Sequence, residues 1–103
     1  MNWRQLVGLL DHRVPAGSVT TYAQVSLRAY GVPDRYQPDG AMLRGARNNG
    51  YRTLTNRVVG SDGTLADLPG GSDYQQRQLL DEGVPSTSDG KVDFTRISPE
   101  TLV

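Results

Sequence analysis

The sequence predicts a mainly α-helical domain organised around a helix-turn-helix variant, completed by short strands or extended segments. Three observations carry this reading. Trp3, Leu6, Val7 and Leu10 recur at i, i+3, i+4 and i+7, the apolar stripe of an amphipathic helix. Two helix-length stretches, 21–30 and 39–48, are separated by a break containing Gly31 and Pro33. The apolar segments outside the helices, Leu54 to Val59 and the alternating Val92 and Phe94, are short.

Each element has a local cause. Asn2 is placed to cap the first helix, and Pro15 with Gly17 ends it in a turn. Thr20 or Thr21 can cap the second, along whose side Tyr22, Val25, Ser26 and Ala29 lie. Asp39, just after Pro38, is the expected N-cap of a third helix running through Asn48. That helix mixes Gly40, Ala41, Gly45 and Ala46 with the long cations Arg44 and Arg47. Glycine inside a helix costs up to about 1 kcal/mol relative to alanine. Close approach of the backbone to a neighbouring helix or to a ligand would offset it. Ser61, Asp62 and Gly63 form a turn, and Gly70 with Gly71 another. Ser72 or Asp73 then caps a helix over about 74–81, and the tail around Val92 and Phe94 returns to the core.

A chain of 103 residues, 36% of them apolar, suits one modest domain. It has no cysteine and a single histidine, His12, which leaves no thiolate nucleophile and no cluster of imidazole ligands. No metal site or cofactor is expected. No apolar run approaches the roughly 20 residues that span a bilayer, so a cytoplasmic protein without membrane partners is expected. Net charge is zero, yet residues 1–60 hold eight arginines and three aspartates, and residues 61–103 hold three basic and eight acidic residues. A neutral total can thus conceal one basic and one acidic face. In helix-turn-helix proteins the second helix enters a nucleic-acid groove.

Several motifs occur in order: VPAGSVTTYAQV, ARNN, NRVVGSDG, PGG, QLLDEG and GKVDFTR. Together, from Trp3 to about Arg96, they resemble the DNA-binding domain of O6-alkylguanine-DNA alkyltransferases. The nearer likeness is to the non-enzymatic alkyltransferase-like proteins. The resemblance implies a winged-helix-like domain that binds double-stranded DNA, flips an alkylated guanine from the minor-groove side, and hands the lesion to nucleotide excision repair. A monomer is expected.

Carried over position by position, the family's reactive Pro-Cys-His-Arg motif falls on Leu54, Thr55, Asn56 and Arg57. A threonine hydroxyl is a poor nucleophile without a base, and Asn56 cannot serve as one. The resemblance therefore implies a binding site with no catalytic residue, in which Arg57 braces the loop. The supporting glutamate of the family falls on Glu82. Tyr22 matches the tyrosine that presses on the phosphate of the flipped nucleotide. Thr20 and Thr21 are further phosphate donors or helix caps. The arginine that fills the vacated stack is assigned to Arg44, with Arg35 as the other cation within reach. Arg47 and Asn48 complete the DNA-binding set. Leu54, Thr55, Asn56, Arg57, Leu68, Pro69 and Gly70 make up the expected base pocket. A protein-interaction or regulatory domain on the same scaffold is the competing reading.

Overall fold

The computed structural model describes residues 1–65 and 71–103, and of residues 71–73 the backbone alone. α1 spans Trp3–Arg13. Its cap is the one expected: the Asn2 side chain accepts from the Gln5 amide at 2.9 Å, and the Asn2 amide donates to Gln5 Oε1 at 2.9 Å. Such a reciprocal capping box satisfies two backbone donors and contributes about 1 kcal/mol. β1, Thr20–Thr21, leads directly into α2, Tyr22–Tyr30, with the Thr21 hydroxyl accepting from the Gln24 amide. Gly31 ends α2 in the left-handed region at φ 76°.

α3 spans Tyr36–Asn48, three residues longer at its start than the sequence suggests. Pro38 misleads here. Its missing N–H falls in the first turn, where amides have no intrahelical acceptor, so the helix passes through it. Asp39 is consequently inside the helix and is not its N-cap. Arg35 is the residue that opens α3, and its amide donates to the buried Ser26 hydroxyl at 2.8 Å, tying the helix start to α2.

The segment expected to be extended divides. Arg52–Thr55 is a one-turn helix, α4, and only Val58–Val59 is a strand, β2. β2 pairs in parallel with β1, Thr20 opposite Val58 and Thr21 opposite Val59. Two-residue strands form no independent sheet. What holds them is burial on both faces. Successive strand side chains point to opposite sides. Val58 thus joins the cluster of Leu6, Leu10, Val14, Val25 and Leu43, and Val59 joins that of Val19, Leu79, Val84 and Val92. The pairing sets the N-terminus of α2, and so Tyr22, beside the loop carrying Thr55, Asn56 and Arg57.

α5 spans Gly71–Asp81, so Ser72 and Asp73 lie within the helix rather than capping it. The C-terminal segment docks on the core as expected. Val92 is buried and bridges Ser86, and Phe94 packs on the second cluster. Gly63 accommodates this docking. At φ +89° its Cα faces the Val92 carbonyl, which an added Cβ would meet at 2.3 Å. Among the described residues no helix is long and apolar enough to cross a membrane.

Candidate nucleic-acid interface

Tyr22 is the first residue of α2, and its ring packs against the edge of the first core cluster. Its hydroxyl makes no hydrogen bond among the described residues. Burial raises its pKa, the charge of Arg47 opposes the rise, and the charge of Asp39 adds to it. The phenol therefore stays protonated near neutrality, available as a donor at the mouth between α2 and α3.

Arg47 faces it from α3. Burial lowers its pKa, Tyr22 acts the other way, and the neighbouring charges of Arg52 and Arg44 lower it further. Its Nε is buried without an acceptor among the described residues, as is that of Arg52. Arg44 and Asn48 are exposed on the same helix. Of the eight arginines in residues 1–60, only Arg57 is in an ion pair among the described residues. The cations of α3 and α4 thus stand without carboxylate partners, and the charge segregation along the chain becomes a local excess of positive charge here.

The small residues of α3 have separate explanations. A Cβ on Gly45 would meet the Trp3 ring at 3.0 Å, so Gly45 permits the packing of α1 on α3. Gly40 has nothing within 4 Å of such a Cβ, which leaves open space beside the helix.

Asp39 has no solvent exposure, and neither carboxylate oxygen has a hydrogen-bond partner among the described residues. Burial pushes its pKa from 3.8 up to about 6. Between these values the folded protein holds a proton that the unfolded chain has released. Stability from this group is therefore greatest below pH 3.8, falls as pH rises to about 6, and is level beyond. The gap corresponds to at most about 3 kcal/mol. Asp39→Asn is expected to raise the melting temperature at pH 7.5 by several degrees and to change it little at pH 4. A lower melting temperature at pH 7.5 would show that the carboxylate has a stabilising partner.

The loop after α4 is built from buried polar groups. The Thr55 hydroxyl donates to the Arg52 carbonyl at 3.1 Å, and Asn56 Nδ2 donates to Gln78 Oε1 at 2.9 Å. Arg57 makes a two-pronged pair with Glu82, Nε to Oε1 at 3.0 Å and Nη2 to Oε2 at 2.6 Å, and its Nη1 donates to the Val14 carbonyl at 3.2 Å. Gln75 Nε2 donates to the Asn56 and Val58 carbonyls, and Gln78 Nε2 to the Thr53 carbonyl. Arg57 thus braces the loop, as the sequence suggests, and the strut it uses is Glu82. Beside the loop is an open cleft of about 440 Å³, lined by Arg52, Asn56, Tyr74, Arg77, Gln78 and Glu82 among others.

No protein-family model matches this chain, and no curated protein matches it either. A solved structure does: S. pombe Atl1 in complex with damaged DNA containing O6-carboxymethylguanine. The superposition has a TM-score of 0.65 at 26% identity and covers 93% of this chain and 95% of that one. This chain is a structural homologue of Atl1. The mainly helical architecture with short strands matches the winged-helix, helix-turn-helix-like Atl1 scaffold.

Within this Atl1-like scaffold the residues expected from sequence fall into distinct groups. Tyr22, Arg44, Arg47 and Asn48 share the α2–α3 side. Thr20 does not belong with them. It is fully buried, and its hydroxyl donates to the Glu100 carbonyl at 2.7 Å, because the C-terminal segment packs over β1. Thr21 is buried as the α2 cap. Arg44 sits well inside α3, whereas Arg35 is the arginine at its start. Asn56 lines the cleft. Leu54, Thr55 and Arg57 do not; Leu54 packs on the core, and Thr55 and Arg57 are buried. Leu68, Pro69 and Gly70 lie outside the described residues.

Arg52, Tyr74, Gln75 and Gln78 are site residues that the sequence reading passes over. Gln75, Gln78 and Glu82 recur at i, i+3 and i+7, a polar stripe at helical spacing that signals a polar partner for one side of α5. Its meaning depends on the loop that it faces.

Proposed function

We propose that this protein binds duplex DNA and senses O6-alkylguanine without transferring the alkyl group. The observation that carries the reading is the cluster of cations on α3 and α4, unpaired among the described residues, beside a Tyr22 hydroxyl that has no hydrogen bond among them, on a scaffold whose homologue is solved with alkyl-damaged DNA. Phosphates neutralised by such cations release counterions, which drives association. Tyr22 supplies a neutral donor for the phosphate of an extruded nucleotide. Arg44, exposed on α3, and Arg35, exposed at its start, are the cations available to enter the vacated stack. Chemistry at the loop has no support. Thr55 is 3% exposed with its hydroxyl engaged, and the amide of Asn56 cannot take a proton from it.

The test compares matched duplexes carrying guanine, O6-methylguanine or O6-carboxymethylguanine over a range of salt. Tighter binding to both modified duplexes is expected, with log affinity falling linearly in log salt. The protein mass should stay unchanged and the lesion intact. Equal affinity for all three duplexes would remove the lesion-sensing role. A stoichiometric gain of an alkyl group would overturn the non-enzymatic reading.

A further inference from the structure

Arg52 opens α4, the turn that follows α3, and its guanidinium carbon stands 4.8 Å from the centre of the Tyr74 ring. Tyr74 is 60% exposed, so this stack lies at the surface, and both of its residues line the cleft with Asn56. The arrangement brings a third cation up to Arg47, which already has Arg44 on its own helix. Among the described residues none of the three has a carboxylate within ion-pair distance. The Nε atoms of Arg47 and Arg52 are buried without acceptors among the described residues, so outward contact falls to the terminal Nη groups. Like charges gathered without counter-charge are unfavourable in the free protein and favourable only toward an anion.

The geometry assigns Arg52, carried on the Tyr74 ring, as a phosphate-binding residue that extends the DNA contact of Arg44 and Arg47 beyond α3. The assignment rests on the DNA-binding reading above. A ring beneath the guanidinium holds its plane while leaving its edge donors free, and that planar fork matches two oxygens of a phosphodiester. The ligand belongs on the Arg52 and Tyr74 side of the cleft. Asp81 and Glu82 also line the cleft, about two turns of α5 beyond Tyr74, Glu82 is already paired with Arg57, and negative charge there repels phosphate. The amides of Asn56 and Gln78 are bonded to each other, so they offer a bound base few free donors.

The experiment uses Arg52→Gln, Arg52→Lys and Tyr74→Leu with the undamaged and O6-methylguanine duplexes, after melting curves have shown that the variants fold. Arg52→Gln should weaken both duplexes alike, by roughly tenfold. It should also lower the slope of log affinity against log salt by about 0.9. Arg52→Lys should restore the slope, because the charge returns, and recover only part of the affinity. Tyr74→Leu should leave the slope unchanged and lose a few-fold in affinity, because the charge remains without its support. Wild-type binding with an unchanged Arg52→Gln slope overturns this assignment alone. A loss confined to the lesion duplex also overturns it, since Arg52 would then read the base. Failure of the wild type to bind either duplex overturns both this assignment and the function on which it rests.

Discussion

Replacing Arg57 by alanine is expected to destabilise the protein by about 3–5 kcal/mol, the usual cost of breaking a buried ion pair by removing one partner. The side chains of Arg57 and Glu82 are 11% and 13% exposed, and their two contacts are charge-assisted. Truncation leaves the Glu82 carboxylate half-desolvated with Gln78 at 3.3 Å as its remaining side-chain partner, and leaves the Val14 carbonyl without its donor. For a domain of this size about 4–8 °C of melting temperature is lost per kcal/mol, so the variant should melt well below the wild type. Glu82→Gln keeps one acceptor for Arg57 and should cost less. Replacing both residues by apolar ones of similar volume should cost less than either truncation, because no buried charge is stranded.

The same pair sets a pH dependence. Burial raises the Glu82 pKa, but the hydrogen bonds and charge of Arg57 outweigh it and hold the carboxyl below its ordinary 4.5. A depressed carboxylate contributes stability above the unfolded pKa and loses it as pH falls through the folded value. The wild type should therefore lose stability on acidification below about pH 4.5, and Arg57→Ala should lose less over that interval. Urea titrations at several pH values measure both. Equal acid sensitivity in the two proteins would show that the pair is not the source.

Substituting Tyr22 should have the second large effect, on DNA binding and base extrusion. Extruding a paired base breaks stacking and pairing, and contacts made only in the flipped state must compensate. Tyr22→Phe removes a hydrogen bond worth about 0.5–1.5 kcal/mol net, and more toward a charged phosphate. Tyr22→Ala also removes the ring, which packs at the edge of the core beside Arg47. A fluorescent base analogue at the target position reports extrusion. The wild type should raise its emission, the phenylalanine variant should keep part of the rise, and the alanine variant should lose most of it. If the wild type binds duplex DNA with no change in emission, and folded Tyr22→Ala binds equally well, extrusion is not the mechanism. Groove contact by the arginines would then account for binding without it.

Much of the architecture is legible along the chain because its causes are local. The Asn2 cap needs only Gln5 three residues on, and the end of α2 needs only a residue that accepts positive φ, which Gly31 is. The boundary that misleads, at the start of α3, is one where local rules permit two outcomes. Proline is acceptable both just before a helix and in its first turn. Packing decides between them, through the Ser26 hydroxyl that receives the Arg35 amide. Residues 52–55 are similar. They become a helical turn because Arg57 is drawn inward to Glu82 and Val14, which the chain brings together only after folding.

By itself, the sequence determined the fold class, the helix pair, the charge segregation and the absence of any cysteine. These follow from residue identity and short-range spacing. The tertiary structure alone decided which polar residues face outward. Thr20 is withdrawn by a carbonyl 80 positions away, Asp39 is enclosed without a partner among the described residues, and Arg52 is stacked on Tyr74. The physical reason is that a side chain's availability depends on which groups fill its surroundings, and those groups come from segments distant in sequence. A threonine that is free and one that is buried look alike until the segment that covers one of them is in place.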